Sequence, residues 1–281
     1  MAAIFYHGGR WYDRNPMILG PLDHAFWMAT TVFDGARAFG GLAPDLDQHC
    51  RRVVDSAKTM MMSPALTAVE IEELCREAIQ RLPKEGVYYV RPMFYATEGM
   101  MVPVPESTDF ALAVYEVPFP GFDGFKACLS PYHRPSPDTA PTGAKASCLY
   151  PNGARAMKEA RAAGFDNAVM LDPWGKVAEF SSANLWIARG GVVQTPVPNG
   201  TFLNGITRQR IAQLLKADGY TVEEVPLTYE DVLVADEVFS TGNYGKVMPC
   251  VRLDDRTYPL GPVFKRAKDL YFDYANGWRI F

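Results

Sequence analysis

The sequence lacks the features that mark several large classes of protein. Its 28 Lys and Arg residues are outnumbered by 32 Asp and Glu residues, and the net charge of -4 provides no basic surface for nucleic acid or anionic lipid. No apolar run is long enough to cross a bilayer, and the N-terminus lacks the basic-then-apolar order of a signal peptide. We therefore expect a cytoplasmic protein that binds small molecules, with no nucleic-acid or membrane partner.

Cysteine is scarce, and several catalytic motifs are absent. The five cysteines are an odd number without a C-x-x-C pair, so the sequence supports neither a disulfide framework nor a zinc site, and we expect no metal. No Gly-x-Ser-x-Gly and no His-Glu-x-x-His occurs, which argues against serine hydrolases and zinc proteases. The glycine-rich segment 241–246 lacks the spacing of a P-loop, which argues against nucleoside triphosphate binding.

What is present is a mixture of strand and helix periodicities. Aromatic stretches around Gly8-Gly9 predict a hairpin over 4–20, and a capping box at Thr67 predicts the start of a helix. Further strands are predicted at 30–39, 87–95, 110–117, 125–130, 168–171, 185–188, 192–195, 220–225 and 237–240, and further helices at 47–62, 152–163 and 206–217. We predict an α+β fold of hairpins and meanders in two domains, 1–120 and 121–281, because 118–124 is rich in Pro and Gly.

Lys145 is the first candidate for chemistry. Its neighbours in 141–147 are small and uncharged, and desolvation there would lower its pKa and make its amine a nucleophile for Schiff-base chemistry. A solvated lysine is the more common situation. Tyr150, five residues later, either returns its hydroxyl to the same pocket or merely closes a helix end.

Three further features have both a functional and an ordinary interpretation. The helix predicted from Ile206 follows a Pro- and Gly-containing loop, so the N–H groups of Ile206 and Thr207 could bind phosphate, unless Thr207 only caps the helix. Glu179 is either a solvated carboxylate or a buried one beside a protonated ring nitrogen. Arg52 alone would be interpreted as a surface charge of its helix.

The order of these segments is more specific than any one of them. The series Val32-Phe-Asp-Gly-Ala-Arg37, His49 to Ala57, Tyr89-Val-Arg-Pro92, Arg134 to Lys145 and Leu203-Asn-Gly-Ile-Thr-Arg208 resembles the class IV pyridoxal-phosphate aminotransferases, and among them the branched-chain enzymes. The resemblance covers roughly residues 20–250. It implies a two-domain α+β fold of fold type IV, a homodimer or higher homo-oligomer, and a larger C-terminal domain that carries the cofactor lysine.

The resemblance also implies roles for particular residues. Lys145 would form the Schiff base with pyridoxal 5'-phosphate and move a proton at the substrate Cα. Glu179 would pair with the ring nitrogen and Tyr150 with the phenolic oxygen. The remaining residues implied to contact the cofactor are Arg52, Ile206 and Thr207 at the phosphate, Leu203 at the ring face, and Asn243 in place of a threonine that contacts the phosphate.

The substrate side is implied less specifically. Tyr89 and Arg91 match the carboxylate end of the pocket of branched-chain enzymes, and Phe33 and Arg37 match its side-chain end. Tyr244 stands where the family has an alanine, and an added ring there would reshape the cavity. We expect exchange between branched-chain amino acids and 2-oxoglutarate. The alternatives are an (R)-selective amine transaminase, a D-amino acid aminotransferase or an aminodeoxychorismate lyase of the same fold type, and a binding protein without turnover.

Overall fold

The chain forms two compact units that are not continuous in sequence. The computed structural model describes residues 1–281 and groups Met1–Phe119, Gly143–Leu149 and Ala275–Phe281 into a first unit; Pro120–Thr142 and Tyr150–Tyr274 form the second. We placed the cofactor lysine in the domain after residue 120, whereas segment 143–149 packs with the first unit, because Ala144 and Ala146 are buried in its core beside Val32. The division into domains 1–120 and 121–281 stays a prediction.

The first unit is an antiparallel sheet of six strands in the order β2-β1-β6-β5-β3, with β4 also paired to β5. Helices α2 and α3 pack against β5, and their buried residues recur at the spacing of one helical face. The predicted capping box is formed, since Thr67 and Glu70 bond reciprocally at the start of α3. The elements are β1 Ala3–His7, β2 Arg10–Tyr12, α1 His24–Met28, β3 Thr31–Phe33, β4 Ala36–Phe39, α2 Leu46–Thr59, α3 Ala68–Gln80, β5 Val87–Ala96 and β6 Thr108–Glu116.

The second unit is a mixed sheet of nine strands in the order β12-β11-β10-β13-β14-β7-β8-β9, with β15 paired to β14. Three pairs are parallel, β11 with β12, β14 with β7 and β7 with β8. Helices α5 and α7 cover a core around the stacked rings of Trp186 and Phe239. The elements are β7 Phe125–Leu129, α4 Tyr150–Ala162, β8 Asn167–Leu171, β9 Val177–Phe180, β10 Asn184–Arg189, β11 Val192–Pro196, α5 Ile206–Ala217, β12 Thr221–Val225, α6 Tyr229–Leu233, β13 Glu237–Gly242, β14 Lys246–Leu253, β15 Arg256–Thr257 and α7 Pro262–Ala275.

The predicted α+β class is confirmed, and each predicted helix and strand has a counterpart in the structure. Three helices and three strands lie outside the predicted set, namely α1, α6, α7, β9, β14 and β15. None of the helices combines the length and the apolar composition that a bilayer-spanning segment needs.

Candidate functional site

Lys145 is held in place through its backbone. Its carbonyl oxygen accepts a hydrogen bond from the N–H of Phe33 (3.1 Å), and its own N–H donates to Oγ of Ser56 (3.1 Å). The flanking Ala144 and Ala146 are buried, and the lysine Nζ lies 5.0 Å from the centroid of the Phe33 ring. The structure therefore gives the lysine a bonded backbone and a half-buried side chain beside an aromatic ring, and its small neighbours had suggested partial enclosure.

Arg52 lies one helical turn before Ser56 on α2, and its guanidinium binds the carboxylate of Asp34. Its Nε and Nη2 donate to the two carboxylate oxygens of Asp34 at 2.6 and 2.8 Å, and Nδ1 of His49 lies 2.6 Å from the same carboxylate. Burial alone would raise the pKa of Asp34, but Arg52 and His49 outweigh it and hold that pKa well below its usual range. Arg52 is thus a half-buried, oriented cation rather than a solvated surface charge.

Phe33, Tyr89 and Arg91 form one cluster in the first unit. The Arg91 guanidinium carbon lies 4.8 Å from the Tyr89 ring centroid, 5.3 Å from that of Tyr115 and 5.7 Å from that of Phe33. The rings of Tyr89 and Tyr115 stack at 5.6 Å. Because Lys145 also lies over Phe33, the cluster places a guanidinium and an amine around one aromatic ring.

Arg37 is placed differently from the other predicted substrate residues. Its side chain is fully buried, with Nη1 donating to the carbonyl oxygen of Val117 (2.7 Å) and Nη2 to that of Pro118 (3.1 Å). The guanidinium also lies 4.6 Å from the Phe119 ring centroid. These contacts tie β4 to the segment that follows β6, and a role of Arg37 toward a substrate stays a prediction.

In the second unit, Glu179 on β9 is buried between a cation, Arg134, and an amide donor, Asn184. Nδ2 of Asn184 lies 3.1 Å from Oε2, and Nε of Arg134 lies 3.3 Å from Oε1. A cation and an amide on the two oxygens favour the ionised carboxylate. The buried interpretation of Glu179 is therefore the one that the structure supports.

The loop before α5 ends in a helix N-terminus without a side-chain cap. Gly205 is the N-cap residue, so Thr207 lies inside the first turn and does not cap the helix. A Cβ added to Gly205 would come within 2.2 Å of Oδ1 of Asn184, which explains why glycine is needed here. The backbone of Leu203 joins the same arrangement, because its carbonyl oxygen accepts from Asn184 (2.9 Å). An uncapped helix N-terminus is suited to an anion.

The last three predicted residues lie at element ends. Tyr150 is the first residue of α4, as its position in the sequence suggested. Asn243 and Tyr244 lie in the turn between β13 and β14, where Nζ of Lys246 donates to Oδ1 of Asn243 (2.9 Å). The side chain of Tyr244 is 61% exposed.

Sequence reasoning missed three residues that orient the predicted ones, namely Asp34, Arg134 and Asn184. Asp34 and Arg134 lie inside segments that carried the resemblance, but their partners are distant: Asp34 is 18 residues from Arg52, and Arg134 is 45 residues from Glu179. Asn184 is only five residues from Glu179, but an asparagine after a predicted glutamate is not a local pattern of any site. The only signal was indirect, since a buried charge requires an opposite charge or a donor.

Comparison with known proteins places this geometry in a family. The model of the amino-transferase class IV family matches residues 31–253. The branched-chain-amino-acid aminotransferase of Pseudomonas aeruginosa is 33% identical, over 98% of this chain and 93% of that protein.

Two solved structures are similar throughout. An aminotransferase from Brucella abortus bound to the cofactor PLP is 45% identical with a TM-score of 0.97, over 98% of this chain and all of that chain. A branched-chain aminotransferase from Thermoproteus uzoniensis with norvaline is 27% identical with a TM-score of 0.91, over 99% of each chain. With its fold and sequence thus matched over nearly their full length, the chain belongs to the class IV aminotransferases.

Proposed function

We propose that this chain is a pyridoxal-phosphate-dependent aminotransferase. It transfers the amino group of branched-chain L-amino acids to 2-oxoglutarate, and Lys145 is its catalytic residue. The single observation that carries the proposal is the setting of Lys145, whose peptide groups are bonded to Phe33 and Ser56 and whose amine lies over the Phe33 ring. A partly enclosed lysine amine on a fixed backbone is the group that Schiff-base chemistry requires.

The residues present fit the chemical groups of the cofactor. Each unit has a group suited to a phosphate dianion: in the first unit it is Arg52, whose guanidinium is oriented by Asp34, and in the second unit it is the uncapped N-terminus of α5 at Ile206 and Thr207. A protonated ring nitrogen is suited to Glu179, whose carboxylate lies between the Arg134 cation and the Asn184 amide. We assign Leu203, Asn243 and Tyr150 to the ring face, the phosphate and the phenolic oxygen.

When bound, the cofactor supplies an electrophilic carbonyl carbon and a conjugated ring that accepts electrons from the substrate Cα. The chain supplies the proton transfers. The amine of Lys145 would take the proton from the substrate Cα as a general base and would donate it, as a general acid, to the carbon that the cofactor's carbonyl group supplies. Glu179 holds a proton at the ring nitrogen by its negative charge.

Arg91 and Tyr89 bind and orient the substrate in this proposal. The guanidinium is a suitable partner for the substrate carboxylate, and its packing among Tyr89, Tyr115 and Phe33 limits its movement. Phe33 provides an apolar surface for a branched aliphatic side chain. The names of the relatives from Pseudomonas aeruginosa and Thermoproteus uzoniensis support the same substrate class.

A half-reaction tests the reaction and the substrate together. The purified protein, loaded with pyridoxal 5'-phosphate, is mixed separately with L-leucine, L-glutamate, D-alanine and (R)-1-phenylethylamine, and the cofactor absorbance is followed. Conversion by the two L-amino acids alone is expected. Conversion by the D-amino acid or the amine instead would contradict the substrate assignment and leave Lys145 in its role.

Lys145→Ala should abolish conversion by every donor while the protein stays folded. The variant loses the only amine assigned to the proton transfer, and truncating a half-buried side chain removes little packing. Lys158→Ala, which removes an exposed lysine of α4, is the matched control and should keep wild-type rates. Near-normal turnover by Lys145→Ala would refute the mechanism.

The turn at Tyr244 is the observation that favours the second candidate, an (R)-selective amine or D-amino acid transaminase. The aromatic side chain projects from the turn and is 61% exposed. Tyr244→Ala should change the relative rates of the four donors more than it changes cofactor retention. Trp174→Ala, at a comparably exposed turn residue, is the control. An unchanged donor profile would show that Tyr244 does not set specificity.

We also propose that the protein is a homodimer and acts in the cytoplasm. Large apolar side chains are exposed on the first unit around α1 and the loop 99–104, including Leu22, Phe26, Trp27, Met100 and Met101. The two segments are adjacent, since Nε2 of His24 lies 2.9 Å from the carbonyl oxygen of Met100. An exposed apolar surface of this kind is typical of association.

The cytoplasmic location is supported by the five cysteines, all of which are free thiols.

A further inference from the structure

The cation and the amide beside Glu179 are both bonded to one loop. Nε of Arg134 forms an ion pair with Oε1 of Glu179 (3.3 Å) and donates its hydrogen to the carbonyl oxygen of Thr201 (3.2 Å). Nδ2 of Asn184, which faces Oε2, also donates to the carbonyl oxygen of Leu203 (2.9 Å). Each carboxylate oxygen is therefore connected through one side chain to the loop that leads into α5.

That loop is anchored further along. Thr201 bonds to Oδ1 of Asn199 through its N–H (3.2 Å) and its hydroxyl (2.7 Å), and Nδ2 of Asn199 donates to Asp172 (2.8 Å). The N–H of Arg134 donates to the carbonyl oxygen of Leu171, next to Asp172 (2.8 Å). Both the side chain and the backbone of Arg134 are thus fixed before any ligand binds.

Arg134 and Asn184 differ in what they contribute. Arg134 is buried and brings a positive charge, which stabilises the anionic form of a carboxylate that burial would otherwise favour as the neutral acid. Asn184 is neutral and orients Oε2 through its Nδ2, and its amide oxygen Oδ1 lies where a side chain at Gly205 would clash. The carboxylate and the helix N-terminus consequently share one set of supports.

We infer that Arg134 and Asn184 are positioning residues that keep Glu179 ionised and fix it relative to the N-terminus of α5. In this inference, which rests on the proposed function, they act through Glu179 and the loop, and neither needs to touch the cofactor. The carboxylate proposed for the ring nitrogen and the helix N-terminus proposed for the phosphate are then one assembly within the second unit.

The test compares Arg134→Gln, which removes the charge and keeps a donor, with Arg134→Lys, which keeps the charge. The readouts are the pH dependence of the holoenzyme's visible absorbance and the retention of pyridoxal 5'-phosphate on dialysis. Arg134→Gln should move the acid limb of the absorbance curve to higher pH, because a buried carboxylate without its cation binds a proton more readily. Retention should fall by about tenfold or more. Arg134→Lys should keep the acid limb near its wild-type position.

A double-mutant cycle shows whether Arg134 acts through Glu179. In a Glu179→Gln background, Arg134→Gln should change retention by less than about threefold, because the carboxylate that it supports is gone. Arg155→Gln, which removes an exposed cation of α4 stacked on Tyr132, is the control and should leave both readouts at wild-type values. Asn184→Ala gives a second, independent test, with a smaller shift of the acid limb in the same direction.

Three results would be decisive against parts of this scheme. An Arg134→Gln curve that superimposes on the wild-type curve overturns the inference. So does an effect of equal size with and without the Glu179 carboxylate, because Arg134 would then act independently of it. Wild-type protein that takes up no pyridoxal 5'-phosphate would instead overturn the proposed function. Circular dichroism of each variant separates these results from a loss of folding.

Discussion

At the scale of single residues, Asp34 is the buried carboxylate that orients Arg52. It is fully buried and ionised, and its two oxygens bind Arg52 and His49 at 2.6 to 2.8 Å. Removing one partner of a buried ion pair leaves the other charge desolvated and costs about 3–5 kcal/mol. The position of Arg52 therefore depends on Asp34 as much as on α2.

Asp34→Asn should lower the free energy of unfolding by about 3 kcal/mol near pH 7 and weaken retention of pyridoxal 5'-phosphate. Chemical denaturation and dialysis of the holoenzyme measure the two effects. Asp47→Asn, at an exposed i,i+4 pair with Arg51 on the same helix, is the matched control, with an expected loss below about 1 kcal/mol. If the two variants lost the same free energy of unfolding, the pair of Asp34 and Arg52 would contribute no more to stability than a surface ion pair.

The lowered pKa of Asp34 also predicts how the stability of the protein depends on pH. The pKa of Asp34 is lower in the folded protein than in the unfolded chain, because Arg52 and His49 outweigh the effect of burial. Its contribution to stability is therefore present above the unfolded-state pKa of about 4 and is lost as the pH falls toward the folded-state pKa. The stability difference between wild type and Asp34→Asn should narrow below about pH 4, and a difference that widens there would contradict this assignment.

At the scale of elements, the N-terminus of α5 is defined by a glycine that has no room for a side chain. Gly205→Ala would force its Cβ against Oδ1 of Asn184, so either the helix start or the amide that supports Glu179 must move. The variant should retain pyridoxal 5'-phosphate less well than wild type and unfold at lower temperature. Gly20→Ala is the control, because an added Cβ there makes only an ordinary contact of 3.6 Å with Asp23. Unchanged retention of pyridoxal 5'-phosphate by Gly205→Ala would show that the N-terminus of α5 does not bind the phosphate.

Local sequence signals predicted the elements where a cap or a periodicity was strong. Helix α5 begins and ends at the predicted residues, and α3 begins directly after Thr67, the N-cap residue of the predicted capping box. The helices α1 and α6 have five residues each, too few for a periodic pattern. Strand β14 contains Pro249, which argues against an interior strand in a sequence. Helix α7 was outside our predictions, although Val263, Phe264, Ala267 and Tyr271 recur at helical spacing.

The sequence was sufficient to predict the residues that can react or carry charge in the candidate site. It was not sufficient to predict the residues that orient them. Lys145, Glu179 and Arg52 stood out because their side chains can react or carry charge, and because the order of their segments resembled a family. Asp34 and Arg134 did not, since an ion pair between residues 18 or 45 positions apart is created by the fold and leaves no local pattern.

At the scale of the whole molecule, the proposed dimer makes the clearest prediction. Phe26→Glu together with Trp27→Glu places two charges on the exposed apolar surface of α1, where a partner would have to desolvate them. The variant should sediment as a monomer under conditions in which the wild type sediments as a dimer. Val69→Glu, at a similarly exposed position of α3, should leave the dimer intact. A wild-type protein that is monomeric at all concentrations would refute the proposal.

The division of the first unit among three segments has a consequence for protein synthesis. Its core includes Ile280, whose N–H donates to the carbonyl oxygen of Gly41 (2.8 Å), and the N–H of Ala43 donates to that of Trp278 (2.9 Å). These contacts cannot form on the ribosome until the chain has been translated through residue 280. Synthesis of the unit that contains Lys145 therefore starts before that of the second unit and ends after it. In a nascent chain that stalls after residue 274, the core residues that Ile280 would cover stay exposed.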